Sequence, residues 1–297
     1  AGIAPARRIP RFAPEPFQRR WRRGAARRAI PAAGARVILW PDTFTNYFEP
    51  EIAASAAEVL AAAGFDVVVP DGPLCCGRPL YDWGMLGTAR RLLARTLARF
   101  RDDIARGTPF VVLEPSCASV FRDELVNLFP HDLDARRLAA QVCVLGELLE
   151  RRGAIPALRP LDRDALVQAH CHQRALMSVD EALHLLERAG VRARLLDAGC
   201  CGMAGAFGFA REHYHVSLAI GERALIPAVR AAAAETLIVA DGFSCREQIA
   251  QVAGRRALHL AEVLRMALPD SASATERRAQ PAVGPSSNET RTRPAAD

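Results

Sequence analysis

Phe65-Asp-Val-Val-Val69 runs through Pro70 to Leu74 into Cys75-Cys76-Gly77, and Val191-Arg-Ala-Arg-Leu-Leu196 runs through Asp197 to Gly199 into Cys200-Cys201-Gly202. In both places a short β-rich stretch ends in a loop that carries two adjacent thiols and a glycine. One more cysteine follows each pair at nearly the same distance: Cys117 lies 41 residues after Cys76, and Cys245 lies 44 after Cys201. A small set of thiols repeated at one spacing points to a redox or metal site built twice.

The surrounding sequence repeats in the same order. In the first half, Arg36-Val-Ile-Leu-Trp40 reads as a strand, 50–63 as a helix stopped by Gly64, and 85–104 as a long amphipathic helix. The strand Phe110-Val-Val-Leu113 then leads into Glu114-Pro-Ser-Cys117 and a helix over 118–129. In the second half, Ala165-Leu-Val-Gln168 leads into His170-Cys171-His172, and a helix over 179–189 stops at Gly190. The strand at 191–196, a helix over 211–231, the strand Thr236-Leu-Ile-Val239, and Gly242-Phe-Ser-Cys245 with its helix follow, then a last helix over 259–267. This order predicts an α/β fold: two pseudo-repeated βαβ-type halves with parallel sheets, and cysteine loops at the C-terminal ends of strands. The expected organisation is a basic arm at 1–35, a first repeat at 36–133, a helical connector at 134–160, a second repeat at 161–268 and a disordered tail at 269–297. Cys143 falls outside the repeated sets and is expected in the connector helix, as a small core residue.

The chain has 297 residues, enough for two ordinary cores, and a formal net charge of +6. That charge is local. Residues 1–36 hold ten arginines and one acid, whereas 37–269 hold 25 arginines against 28 acids. A basic arm on an acidic body argues against nucleic-acid binding, which calls for a basic face on the folded part. All 39 basic residues are arginine, a composition bias that removes meaning from any single arginine. No apolar run approaches the ~20 residues of a membrane helix, and no signal-peptide core precedes residue 36. The expected location is therefore cytoplasmic, with room for peripheral attachment at the inner membrane. The chain begins with Ala1 rather than Met, as a fragment or processed product would.

Aligned on their CCG triplets, the second half has four thiols, Cys171, Cys200, Cys201 and Cys245, and the first has three, Cys75, Cys76 and Cys117. Pro41-Asp42-Thr43 stands where Cys171 would fall, and Asp42 reads as a loop residue rather than an oxygen ligand. Four convergent thiolates suit a soft centre, either a [4Fe–4S] cluster or structural zinc. Zinc usually takes its ligands as C-x2–4-C pairs from short loops, whereas here they come from three strand ends with a vicinal pair in the middle. A thiol–disulfide relay without metal is the third reading. Gly77 and Gly202 would let the backbone turn tightly beside a cluster, and Gly202, Gly205 and Gly208 would offer amides to its sulfides. His170 and His172 would orient the Cys171 loop through hydrogen bonds behind the ligands. His213 and His215, two apart on a helix, read as surface positions.

His170-Cys-His172, Cys200-Cys-Gly-Met-Ala-Gly205 and Gly242-Phe-Ser-Cys245, supported by Cys75-Cys-Gly77 and Pro115-Ser-Cys117, resemble the tandem cysteine-rich CCG domain. That domain occurs in the iron–sulfur subunit of glycolate oxidase, the C subunit of anaerobic glycerol-3-phosphate dehydrogenase and the B subunit of heterodisulfide reductase. It also ends fused FAD-linked oxidase proteins. The resemblance covers about 36–265. It implies an oxidoreductase part that binds an iron–sulfur (4Fe-4S) cluster and passes electrons from flavin to a quinone or protein acceptor, in an FAD-linked dehydrogenase of the glycolate, lactate or glycerol-3-phosphate kind. Carried over, the metal ligands are Cys171, Cys200, Cys201 and Cys245, then Cys75, Cys76 and Cys117. Two departures stand out: the leading cysteine of the first half is missing, and Cys117 and Cys245 stand alone where heterodisulfide reductase has a CxxC. The implied partners are a flavin-binding dehydrogenase domain or subunit and a ferredoxin-like iron–sulfur domain, with FAD held there and not on this chain. In a fused architecture both would lie upstream of Ala1. The rival readings are a heterodisulfide-reductase-like thiol/disulfide enzyme and a zinc-stabilised binding module.

Overall fold

The computed structural model describes residues 2–24 and 34–269. Two parallel sheets carry the fold. The first has the order β2-β1-β3-β4, with β1 at Ala35–Trp40, β2 at Phe65–Val68, β3 at Phe110–Val112 and β4 at Val142–Cys143. The second has the order β6-β5-β7, with β5 at Arg163–Val167, β6 at Val191–Leu195 and β7 at Leu237–Val239. Val67 pairs with Val37 and Val111 with Leu39 in the first sheet; Ala193 and Leu237 both pair with Ala165 in the second. A parallel bridge from Val239 to Leu258 gives the second sheet a vestige of a fourth strand, in the place that β4 holds in the first. The predicted α/β class and its parallel sheets are therefore present. The order places the first strand of each half in the interior of its sheet, so the loops that leave its two neighbours open beside it at one end.

The halves interlock by their last helices. Each follows its fourth strand position and carries a glutamate that caps its own start: Glu147 accepts from the N–H of Val144, and Glu262 from the N–H of His259. Helix Leu145–Arg151 leaves the first half and packs on helix Asp180–Arg188 of the second. Helix Leu260–Ala267 of the second packs on helix Pro50–Ala62 of the first. The central core therefore belongs to both sheets, and joins Val37, Leu39 and Val111 to Val167, Val239, Leu260 and Leu264. Separate cores back the outer face of each sheet, one around Trp40, Phe110 and Phe121, the other around Ile226, Ile238 and Ile249.

Several elements differ from the sequence expectation. The connector is not continuous helix: Leu133–Gln141 ends, β4 crosses the sheet edge, and Leu145–Arg151 begins. Cys143 lies on β4 rather than in a helix, buried, with its thiol 3.6 Å from the Phe110 carbonyl oxygen. The expected helix over 211–231 is split into Tyr214–Glu222 and Leu225–Ala231, because Pro227 lacks an N–H and its ring excludes a helical carbonyl four residues earlier. The 85–104 stretch breaks at Phe100, which leaves helical geometry to lodge its ring among Trp40 and Phe110. The helix expected from residue 118 begins at Pro115, which brings Cys117 into its first turn.

The basic arm packs against the fold instead of running free as a linker. Phe17 and Trp21, on the short helix Phe17–Arg22, are buried in the central core. Gln18 donates to the carbonyls of Pro70 and Gly72, in the segment that leads to Cys75. Ile3 bridges to Ala210, and Arg7 is buried against the loop that follows Cys201. The arm thus clasps both cysteine loops. The disordered tail expected over 269–297 lies outside the described residues from 270 onward.

A core shared this way should unfold as one unit. Leu264→Ala, at a fully buried position of the second half, should cost ~2–5 kcal/mol. All three tryptophans, Trp21, Trp40 and Trp83, precede the second half. In urea titrations of the metal-free chain, tryptophan fluorescence should shift to lower midpoint together with far-UV circular dichroism. A fluorescence midpoint unchanged by the substitution would show that the halves melt independently.

Candidate metal centre

In the second half, β5 hands the chain through Gln168 and Ala169 to His170, the N-cap of helix Cys171–Leu176. The imidazole Nδ1 of His170 accepts from the N–H of His172 and lies 3.9 Å from Cys171 Sγ. Cys200 and Cys201 sit in the loop after β6, and Cys245 in the first turn of helix Phe243–Ala253 after β7. The four thiols converge closely enough to act on one another's charge. The neighbouring Cys171, then Cys201, pull the Cys200 thiol far below its usual range, and the Gly202 N–H donates to Cys200 Sγ at 3.3 Å. Cys171 is pushed up by Cys200 and by burial, and Cys201 by Cys200, by Cys245 and by burial. A thiolate at Cys200 therefore forms easily while Cys171 and Cys201 hold their protons, unless a cation sits among the sulfurs.

The first half builds the same frame. Cys76 Sγ and Cys117 Sγ are 2.9 Å apart and buried, and the half-buried Cys75 thiol lies within reach of Cys76 and Thr43. The Gly77 N–H donates to Cys75 Sγ at 3.4 Å, the counterpart of Gly202 on Cys200. A hydrogen bond from Cys76 favours the Cys117 thiolate, but burial and the nearby Asp42 and Glu114 charges outweigh it and set this thiol at about 11. Asp42 is the N-cap of helix Thr43–Tyr47: its carboxylate accepts from the N–H groups of Phe44 and Thr45 and from the Thr45 hydroxyl. Burial, then the neighbouring Glu114, raises its pKa to about 6. In space Asp42 matches His170, and Thr43 matches Cys171. Of the stretch Pro41-Asp42-Thr43 that the sequence sets opposite Cys171, the caps single out Thr43.

The two sites meet across the interface between the halves. Glu114 caps the Cys117 helix through the N–H and hydroxyl of Ser116, and its other oxygen accepts from the N–H of Phe243 at 2.8 Å, at the start of the Cys245 helix. Helix Cys171–Leu176 packs on Pro115–Ser119, and Phe44 stacks on Phe243 at 4.2 Å. Arg246, next to Cys245 and almost fully buried, pairs with Glu49 of the first half and donates to the carbonyls of Ala240 and Asp241. Arg78, next to Gly77, pairs with Glu124 and Asp82. Burial lowers His170 to about 4, so its ring is neutral and free to accept at Nδ1. His172 is lowered too, by burial and then by His170 and Arg78.

The predicted glycines divide. At Gly202, φ is +90° and an added Cβ would meet the Ser217 carbonyl oxygen at 2.2 Å. Gly77, at φ +86°, has more room, with the nearest atom at 3.1 Å on a leucine side chain. The amides of Gly205 and Gly208 are not offered to a cluster: they donate to Ser244 Oγ and to the Met203 carbonyl. His215 is exposed, as expected, but His213 is half-buried, its ring stacked on Phe207 at 4.2 Å. Three supporting residues escaped the sequence reading. Gln168 ties the CCG loop down through the Gly199 carbonyl. Arg7 donates to the Gly208 carbonyl and to Ser217 Oγ, with the Cys201 thiol in its electrostatic reach. Gly242 lies flat under the His170 ring, where a Cβ would come within 2.2 Å of Cδ2. The glycine ahead of Phe243-Ser-Cys245 was the one available signal; Arg7 is hidden among the arm's other arginines.

This donor set fits an iron–sulfur centre, four sulfurs from three loops, with the His170 and His172 rings beside Cys171 and one ring nitrogen of each within 4.8 Å of its sulfur. A family model described as the CCG cysteine-rich domain matches residues 43–122 and 167–250. The chain is 28% identical over 267 residues to the C subunit of anaerobic glycerol-3-phosphate dehydrogenase from Escherichia coli (strain K12), an alignment that covers 88% of this chain and 66% of that protein. It is 28% identical over 249 residues to lactate utilization protein A of Bacillus velezensis, covering 77% of this chain and 98% of that protein. To D-2-hydroxyglutarate dehydrogenase of Pseudomonas putida it is 26% identical over 244 residues, covering 81% of this chain and 23% of the relative. The chain thus spans just under two thirds of the first relative and a minor part of the third.

The contact between Gly242 and His170 gives a direct check. Gly242→Ala should destabilise the metal-free chain by ~1–3 kcal/mol, because the added methyl group must displace a buried ring. Gly87→Ala, in helix Leu86–Arg99 with only the tip of Arg91 nearby, should be neutral or stabilising. Thermal melts of both variants decide; equal midpoints would remove the packing argument.

Proposed function

The chain belongs to the cysteine-rich CCG domain family, and on that footing we propose that it is the iron–sulfur electron-transfer module of an FAD-linked dehydrogenase of 2-hydroxyacids or of glycerol-3-phosphate. The observation that carries this reading is the convergence of Cys171, Cys200, Cys201 and Cys245 from three adjacent strand ends to within electrostatic reach of one another. Relatives named as dehydrogenases or as parts of them support an oxidoreductase role. In this reading the four thiols of the second half hold a [4Fe–4S] cluster, which supplies one-electron transfer when bound.

The protein's own groups set the conditions for that transfer. The Gly202 N–H on Cys200 withdraws electron density from one ligand, which raises the reduction potential. Burial of Cys201 and Cys245 lowers the local dielectric, while Cys171 is exposed and offers an edge for electron exchange. The buried Arg246, one residue past Cys245, is held beside the site in an ion pair with Glu49. His170 holds the Cys171 loop by its cap hydrogen bond and stays neutral.

FAD belongs, in this proposal, to a partner domain or subunit that oxidises the substrate, and the acceptor is a quinone or another protein. A ferredoxin-like iron–sulfur domain would complete the relay. Among the described residues no helix is long and apolar enough to cross a membrane, so contact with a membrane quinone would be peripheral.

Anaerobic reconstitution tests the reading. The wild-type chain should take up iron and acid-labile sulfide and give a reducible EPR signal, and Cys245→Ser should lose the four-iron signal of the second half. Zinc bound without sulfide, or a signal unchanged in both Cys171→Ser and Cys245→Ser, would overturn it.

A further inference from the structure

The two halves present the same frame at their cysteine sites and part at the position that Cys171 holds. After β1 the chain reaches an N-cap, Asp42, then Thr43 at the first helical position; after β5 it reaches an N-cap, His170, then Cys171 at the first helical position. The register is fixed by the caps themselves: the Asp42 carboxylate accepts from the N–H of Phe44, and His170 Nδ1 from the N–H of His172, two residues on in both cases. From that position Thr43 lies within reach of the Cys75 thiol, as Cys171 does of Cys200. The remaining correspondences hold: Gly77 on Cys75 and Gly202 on Cys200, Cys76 beside Cys117 and Cys201 beside Cys245, and Cys117 and Cys245 both third in their helices.

We propose that the first half builds a three-thiolate iron–sulfur centre in which the Thr43 hydroxyl stands where a cysteine in the place of Cys171 would ligate an iron, so that this iron is exchangeable and open to an external oxygen or sulfur ligand such as a small thiolate. The proposal rests on the iron–sulfur reading of the family frame given above. A threonine hydroxyl stays protonated and is a poor substitute for a thiolate on iron. Asp42 does not replace it, since its carboxylate is committed to Phe44 and Thr45 and is held at the helix start. Thr43 and Cys75 are both partly exposed, whereas Cys76 and Cys117 are buried, so the corner that lacks a thiolate is the corner that solvent reaches. The chain would then carry one closed centre, suited to outer-sphere electron transfer, and one with a coordination position to offer.

A cluster with one weakly held iron loses it on mild oxidation: [4Fe–4S]2+ gives [3Fe–4S]+, Fe2+ and an electron, which reduces added ferricyanide to ferrocyanide. The experiment uses the full chain, reconstituted anaerobically, as wild type, Thr43→Cys, Thr43→Val and Cys245→Ser, with iron and sulfide counts and EPR before and after stoichiometric ferricyanide. Wild type and Thr43→Val should each lose a single iron and develop a three-iron EPR signal, and 2-mercaptoethanol should protect that iron. Thr43→Cys should keep its iron and show no three-iron signal. The assignment is overturned if wild type keeps all its iron, or if Thr43→Cys, folded by circular dichroism, loses the same iron as wild type. Its failure is distinct from failure of the family reading. If wild type holds sulfide and Cys245→Ser loses the four-iron signal while Thr43→Cys behaves as wild type, only the Thr43 assignment falls. If wild type holds no sulfide, both fall.

Discussion

Thiols crowded at one end of a sheet lose a first proton far more easily than a second, because two thiolates side by side repel unless a cation sits among them. The second half of the chain is arranged around that constraint. Cys171, Cys200, Cys201 and Cys245 leave three adjacent parallel strands at one end of a sheet, and each loop is pinned by its own device: the His170 cap, the Gly202 turn with Gln168 behind it, and the start of the Cys245 helix. A parallel sheet suits this work because all its strands finish on one edge, so distant stretches of chain deliver ligands to one place without long loops. The thiolates need a rigid frame, because sulfurs drawn together without metal repel as soon as a second one ionises.

The reciprocal exchange of end helices makes that frame one body rather than two. Leu260–Ala267 covers the first half and Leu145–Arg151 the second, so the central core cannot be divided without exposing both sheets. Polar links then cross the seam beside the cysteines. Glu114 caps the Cys117 helix and holds the start of the Cys245 helix with its second oxygen, and Arg246 beside Cys245 pairs with Glu49 of the first half. Such a seam fixes the two cysteine sites relative to each other. The arm adds to this. Arg7 ties down the loop after Cys201, and Gln18 the segment before Cys75, so a stretch that composition marks as a linker holds both loops in place.

Much of the frame was legible in the sequence. The two CCG triplets, the lone cysteines that follow them and the short apolar strands before each loop were enough to place the thiols at strand ends in two parallel sheets. Local patterns carry such information well, because strands and loops announce themselves within a few residues. Register across the repeat was not legible. The sequence set the stretch Pro41-Asp42-Thr43 opposite Cys171; only the helix caps show which of the three, Thr43, stands there. The helix start at Pro115, the split at Pro227, β4 with Cys143, and the committed amides of Gly205 and Gly208 were missed as well.

The sequence by itself determined which elements form, that the thiols come in two sets, and that one set is a cysteine short, because hydrophobic period, turn residues and cysteine spacing are properties of neighbouring residues. Tertiary structure alone decided which side chains meet. Thr43 lies against Cys75, Gly242 under His170, Arg7 beside the Cys201 loop, and Glu114 between two helices it joins. These contacts link residues up to 210 positions apart, and no local pattern records them. They follow from how two sheets and their exchanged helices close on a common core.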